Sequence, residues 1–218
     1  MPTANAPQSP PRSRIEGLSD LVFGLALSIG ALSLISSNPS SSSNPTGTLL
    51  SGILLFLFSF LTLIGVWLRY SDIITVLPVE TRNARDLNIA LLFLVALEPY
   101  LFNQLFASGS FGTLGLTHGS FLDVSTTLFA LDIGSIFGIL ALFTNLLARQ
   151  EKNLVALELL GHYRRKRNVE SVVASAFFLS TLPFFWTPAP LLGNLRFYFW
   201  VSPFVVRRGT WLFRRSGS

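Results

Sequence analysis

The sequence predicts an all-α membrane protein with six transmembrane helices per subunit. Half of its 218 residues are hydrophobic and only 12% are charged, against about 25% charged residues in a soluble domain. Long uncharged runs alternate with short charged segments, and no charged residue stands between Asp20 and Arg69. The chain therefore has too little polar surface for a soluble fold of this size.

Six segments approach the length of about 20 apolar residues that a helix needs to cross a hydrocarbon core. They are residues 17–36, 49–68, 87–106, 122–147, 172–186 and 192–206. The second is strongly apolar, the third and fourth each contain one carboxylate, the fifth is short, and the sixth is interrupted by Arg196 and Pro203. We predict a disordered tail over residues 1–13 and one transmembrane domain over residues 14–215.

The start of the first helix has a local signal. Ser13 and Glu16 have the spacing of a capping box, in which each side chain satisfies a free amide at a helix start. The helix is thus expected to begin near Arg14 and to enter the membrane near Asp20. Asp20 is interpreted either as an interfacial residue or as part of a buried network that holds helices together.

The basic residues flank the six segments on one side only. The N-terminal tail, the second and fourth loops and the C-terminus hold 15 of the 16 Lys and Arg residues, with Arg69 counted in the second loop. Arg196 alone falls within a span. By the positive-inside rule both termini face the cytoplasm. This asymmetry also favours the count of six spans.

Composition and motifs exclude most other classes of function. The chain has no Cys and only two His, and it contains no zinc-protease, nucleophile-elbow or phosphate-loop motif. We therefore predict no enzyme activity, no metal site and no cofactor. A net charge of +5 could suggest nucleic acid, but the basic residues lie between apolar segments and form no exposed basic domain.

Two carboxylates are expected deep in the membrane. Glu98 and Asp132 each lie near the middle of a predicted span, and deep carboxylates usually face a bundle interior or a water-filled cavity. A proton-coupled transporter or proton leak pathway that uses these two residues stays open, as does a protonated carboxyl group that is bonded to a neighbour. A non-conducting membrane scaffold is a further alternative.

On the first helix, Leu25, Ser28 and Leu32 share one face at spacings of three and four residues. Ser28 could simply bond to a carbonyl of its own helix. Repeated by symmetry around an axis, the same stripe would form a hydrophobic constriction beside a ring of hydroxyl groups. The residues alone leave both interpretations open.

The run "RIEGLSDLVFGLALSIGALSL" from Arg14 resembles the first helix of the transmembrane-protein-175 family, the endolysosomal and prokaryotic potassium channels. Its motif there is Arg-x-x-x-Phe-Ser-Asp, which Arg14, Ser19 and Asp20 match, with Leu18 in place of Phe. Residues 59–67, which end in Trp67, and residues 86–102 are similar to the family's second and third helices. The likeness covers roughly the first half of the chain.

The resemblance implies a homotetramer in a prokaryotic cell membrane, with the first helix of each subunit lining a central pore. It implies passive, potassium-favouring cation conduction without a Thr-Val-Gly-Tyr-Gly filter, with K+ as the permeant ion. Leu25, Ser28 and Leu32 fall at the family's constriction and selectivity positions. An inner-side hydrogen-bond network is implied for five residues: Arg14, Ser19, Asp20, Trp67 and Tyr70. Tyr70 stands where the family has a titratable His.

Overall fold

The structure, a computed structural model, describes residues 14–36, 45–76, 82–107, 120–148, 157–182 and 200. The regular secondary structure in these ranges is helical, which confirms the predicted all-α class for this part of the chain. The helices are α1 (Arg14–Ser36), α2 (Pro45–Ile74), α3 (Arg82–Ala107), α4 (Ser120–Ala148) and α5 (Leu157–Leu179).

Three stretches of these helices are long and apolar enough to cross a membrane, counted over the described residues only. They are Phe56–Ile74, Arg82–Gln104 and Val124–Ala148. Helices α1 to α5 overlap the first five predicted segments in order. The sixth segment lies outside the described residues except for Trp200, and the predicted tail over residues 1–13 lies wholly outside them. The count of six spans therefore stays a prediction.

The helices pack in two linked groups. Helix α4 lies between α3 and α5, while α1 packs against α3 and α2. Helices α4 and α5 pack closely at Gly134, where an added Cβ atom would stand 3.3 Å from Cβ of Phe177. A larger residue there would require Phe177 to shift by a few tenths of an ångström.

Aromatic side chains fill the core at the end of the bundle where α5 finishes. The indole of Trp200 stacks on the ring of Phe177 at 5.8 Å between centroids and lies 5.4 Å from the ring of Phe129. Its Nε1 donates a hydrogen bond of 2.9 Å to Oγ of Ser180, just after α5. The chain after α5 therefore returns to the bundle at Trp200.

Arg69 is not in a loop, as the charge count assumed, but within α2. This helix continues to Ile74, six residues past the predicted span. The Arg69 side chain is buried, and its guanidinium lies over the ring of Phe137 on α4, 4.9 Å from the centroid. A cation held against an aromatic face in this way can stay inside the helical bundle.

Candidate functional site

Helix α1 has one buried face, which attaches it to the rest of the subunit. Ser19, Phe23, Ala26 and Gly30 lie on this face at spacings of four, three and four residues. The Phe23 ring contacts the ring of Tyr70 on α2, with centroids 5.7 Å apart. The orientation of α1 about its own axis is therefore set by contacts with α2 and α3.

The opposite face of α1 is uncovered within the chain. We name it the α1 seam, and its members are Leu18, Leu21, Leu25, Ser28 and Leu32, all exposed. Their spacings of three, four, three and four residues form a heptad pattern, which keeps a stripe facing one partner along the length of a helix. Leu25 is 55% exposed and Leu32 is 63% exposed. Leu25, Ser28 and Leu32, which were predicted to share one helix face, thus lie together on the uncovered face.

Ser28 uses its hydroxyl hydrogen within the helix. Its Oγ donates a hydrogen bond of 2.8 Å to the carbonyl oxygen of Gly24, one turn earlier. A hydroxyl oxygen keeps acceptor lone pairs after donating its one hydrogen. Ser28 can therefore bond to a carbonyl of its own helix and still offer an oxygen ligand on the α1 seam.

A chain of hydrogen bonds joins α1, α2 and α3 beneath the start of the seam. The hydroxyl of Tyr70 donates to Oδ1 of Asn88 at 2.7 Å and lies 2.6 Å from Oγ of Ser19. Since the Tyr70 hydrogen is already donated, Ser19 is the donor in the second bond. All three residues are buried.

A second contact joins α1 and α2 one residue further along α1. Nε1 of Trp67 donates a hydrogen bond of 3.0 Å to Oδ1 of Asp20. Trp67 and Tyr70 lie one turn apart on α2, as Ser19 and Asp20 are neighbours on α1. The structure thus brings four members of the predicted network together, while the side chain of Arg14 lies outside the described residues.

Asn88 is a member of this network that the sequence did not assign to it. Its only signal is an amide side chain at the point where the charged start of α3 gives way to apolar residues. That signal indicates a buried polar contact without saying which residue it reaches. The packing of α3 against α2 determines this partner, which is the hydroxyl of Tyr70.

The deep carboxylates lie in the bundle interior and not on the α1 seam. Glu98 on α3 is fully buried, and Oγ of Ser59 on α2 donates a hydrogen bond of 2.7 Å to its Oε1. Asp132 on α4 is also buried, with 4% of its surface exposed. Among the described residues, neither Oε2 of Glu98 nor either Asp132 oxygen has a hydrogen-bond partner.

The comparison with known families matches one part of the chain. Residues 14–99 match the family described as endosomal/lysosomal potassium channel TMEM175. No curated protein gives a significant match to the chain. The matched range holds the α1 seam, the hydrogen-bonded network and Glu98, whereas Asp132 lies beyond it.

Proposed function

We propose that this chain, whose residues 14–99 match the TMEM175 potassium-channel family, belongs to that family and is a potassium-favouring cation channel that conducts passively. The family match confirms the resemblance drawn from the first-helix motif. The family is one of ion channels and not an enzyme class. Since three helices in the described part of the chain are apolar enough to span a bilayer, the chain is an integral membrane protein.

The proposed assembly is a homotetramer of six-helix subunits with cytoplasmic termini, in which four α1 seams surround a central pore. The uncovered heptad stripe on α1 is the observation that carries this proposal. Gly17, Gly24 and Ala31 follow the seam at seven-residue intervals, and an added Cβ at Gly17 or Gly24 would meet nothing within 4 Å. Small residues of this kind let neighbouring membrane helices approach closely.

In this pore, Leu25 and Leu32 form two hydrophobic constrictions, which gate by losing water. The Ser28 hydroxyl oxygens between them replace part of the hydration shell of an ion that passes. A preference for K+ over Na+ follows because Na+ holds its water more strongly and few oxygen ligands replace it. Ser19, Asp20, Trp67 and Tyr70 hold the inner end of α1 so that the seam keeps facing the axis.

Ion flux from liposomes containing the purified full chain tests this proposal. Outward K+, Na+ and Cs+ gradients are compared for the unmodified protein, Leu25→Ala and Ser28→Ala. Shortening Leu25 widens a constriction, so K+ flux is expected to rise about threefold or more. Ser28→Ala removes an oxygen ligand, so the ratio of K+ to Na+ flux is expected to fall.

The matched control is Leu128→Ala on α4, which removes an exposed Leu side chain from a helix that packs against α3 and α5. Its flux and selectivity should equal those of the unmodified protein. If Leu25→Ala and Leu128→Ala change flux equally, the pore does not lie on α1. If neither the unmodified protein nor any variant conducts an ion, the result favours a non-conducting membrane scaffold.

A second candidate function rests on the buried pair Glu98 and Asp132. Glu98 on α3 and Asp132 on α4 are two buried carboxyl groups, and each has an oxygen without a hydrogen-bond partner among the described residues. Such groups could carry protons within one subunit, as a coupled transporter or a leak pathway. Glu98→Gln and Asp132→Asn should then abolish flux driven by a pH gradient and leave K+ flux through the α1 pore unchanged. If both variants keep the pH-driven flux, this pair has only a structural role.

A further inference from the structure

A cavity of about 270 Å³ opens between the end of α2 and the first half of α5. Arg69 and Asp72 line it from α2, and His162, Arg165, Lys166 and Glu170 line it from α5. We name it the basic pocket. A cavity this large holds several water molecules, so it also admits a phosphate-sized anion.

The charges around the basic pocket favour an anion. Arg69, Arg165 and Lys166 supply three cationic groups, and His162 adds a ring N–H donor. Glu170 is buried and accepts a hydrogen bond of 2.6 Å from Oγ1 of Thr144. The other carboxylate, Asp72, lies at the mouth, where its Oδ2 is 3.3 Å from Nζ of Lys166 and its side chain is 73% exposed. Positive charge therefore exceeds negative charge at the pocket.

The basic pocket lies at the boundary between membrane and water. Residues 164–167 of α5 are four consecutive Arg and Lys residues, and such a run is costly inside the hydrocarbon core. Arg167 of this run donates to Oδ1 of Asn145 on α4 at 3.2 Å, and Lys166 contacts Asp72 on α2. These contacts hold the charged half of α5 at one level beside α2 and α4, where lipid headgroups lie.

We propose that the basic pocket binds the phosphate group of an anionic ligand, either a lipid headgroup or free inorganic phosphate. Arg69 forms the inner wall, with its guanidinium fixed over the Phe137 ring, and Arg165 and Lys166 close over the anion from α5. Arg and Lys pockets between membrane helices are suited to phosphate headgroups. The bound phosphate takes the place of Asp72 as the partner of Lys166.

The basic pocket and the α1 network share one turn of α2. Arg69 faces the pocket, while Trp67 and Tyr70, in the same turn of α2, bond to Asp20 and Ser19 of α1. An anion in the pocket thus stabilises the turn of α2 that holds α1. Binding at the pocket does not depend on ion conduction, so it is testable without a flux measurement.

The experiment measures thermal unfolding of the purified full chain in an uncharged detergent. Short-chain phosphatidylglycerol, phosphatidylcholine of the same chain length, and sodium phosphate are titrated separately. A ligand that binds only the folded state raises the unfolding temperature. We expect phosphatidylglycerol to raise it and phosphatidylcholine to have no effect. A rise with sodium phosphate identifies the free anion as a sufficient ligand, and a rise with phosphatidylglycerol alone assigns the lipid headgroup.

The double variant Arg165→Gln/Lys166→Gln should bind the anion at least about tenfold more weakly. The matched control Arg164→Gln/Arg82→Gln removes the same charge from exposed positions that do not line the pocket, and it should bind as the unmodified chain does. Asp72→Asn removes the competing carboxylate and should bind more tightly. Equal weakening in both double variants overturns the proposal, as does an unfolding temperature that neither phosphatidylglycerol nor phosphate raises.

Discussion

Tyr70 connects three helices through a single hydroxyl group. It donates to Asn88 on α3 and accepts from Ser19 on α1, and all three residues are buried. Removal of one partner from a buried polar group costs the desolvation of the group that remains. Much of the attachment of α1 at this level therefore depends on one oxygen atom.

Tyr70→Phe is expected to destabilise the folded protein by about 1–3 kcal/mol, because it removes the hydroxyl group that is hydrogen-bonded to both Ser19 and Asn88. The ring contact with Phe23 is retained. Thermal unfolding in detergent measures the effect. The control is Tyr100→Phe, which removes the hydroxyl of a side chain that is 58% exposed and should leave the unfolding temperature unchanged. Equal unfolding temperatures for all three proteins would contradict the role given to Tyr70.

Asp20→Asn tests the anchoring of α1 at the neighbouring residue. Asn keeps an oxygen that can accept from Trp67 but loses the negative charge that strengthens the bond. We expect fewer assembled oligomers and a smaller K+ flux, while the ratio of K+ to Na+ flux stays the same because the seam is not altered. Size-exclusion chromatography and liposome flux measure the two effects. An unchanged yield together with an unchanged flux would remove Asp20 from the anchor.

At the scale of elements, α1 to α4 could be predicted because apolar runs bounded by charge and turn residues indicate membrane helices. The first half of α5 could not, since residues 157–171 are too charged to count as a span. This part of α5 packs through contacts between helices instead, such as Thr144 with Glu170 and Lys166 with Asp72. That Leu25, Ser28 and Leu32 share one face of α1 was predictable from the helical period, whereas the exposure of that face, the role of Asn88 and the basic pocket depend on tertiary packing.

The seam also leads to a prediction about neighbouring subunits. Because the chain has no Cys, a single Leu18→Cys substitution gives one reactive thiol per subunit at the N-terminal end of the seam. A short bis-maleimide should then join two chains and give a covalent dimer. Val172→Cys, exposed on α5, should give little dimer at the same protein concentration. Equal dimer formation at both positions would indicate random collision and not an α1 interface.

At the scale of the whole molecule, the number of subunits is the property that one chain reveals least. Native mass spectrometry in the detergent used for the flux experiments should give the mass of four copies of the 24.0 kDa chain. The uncovered stripe is the surface proposed to face other copies of α1, but the number of helices around an axis depends on side-chain packing between copies. Sequence and single-chain packing therefore predict which face of α1 meets other subunits better than they predict the number of subunits.

The uncharged run from Leu21 to Leu68 has an electrical consequence for the proposed channel. Moving one elementary charge across the membrane potential is worth about 2.3 kcal/mol per 100 mV, but a rotation or tilt of the α1 seam moves no charged side chain through the field. The opening of such a pore should therefore respond weakly to voltage. In planar bilayers, open probability is expected to change little across about 100 mV of either sign. A steep change would mean that charges elsewhere in the bundle move during opening.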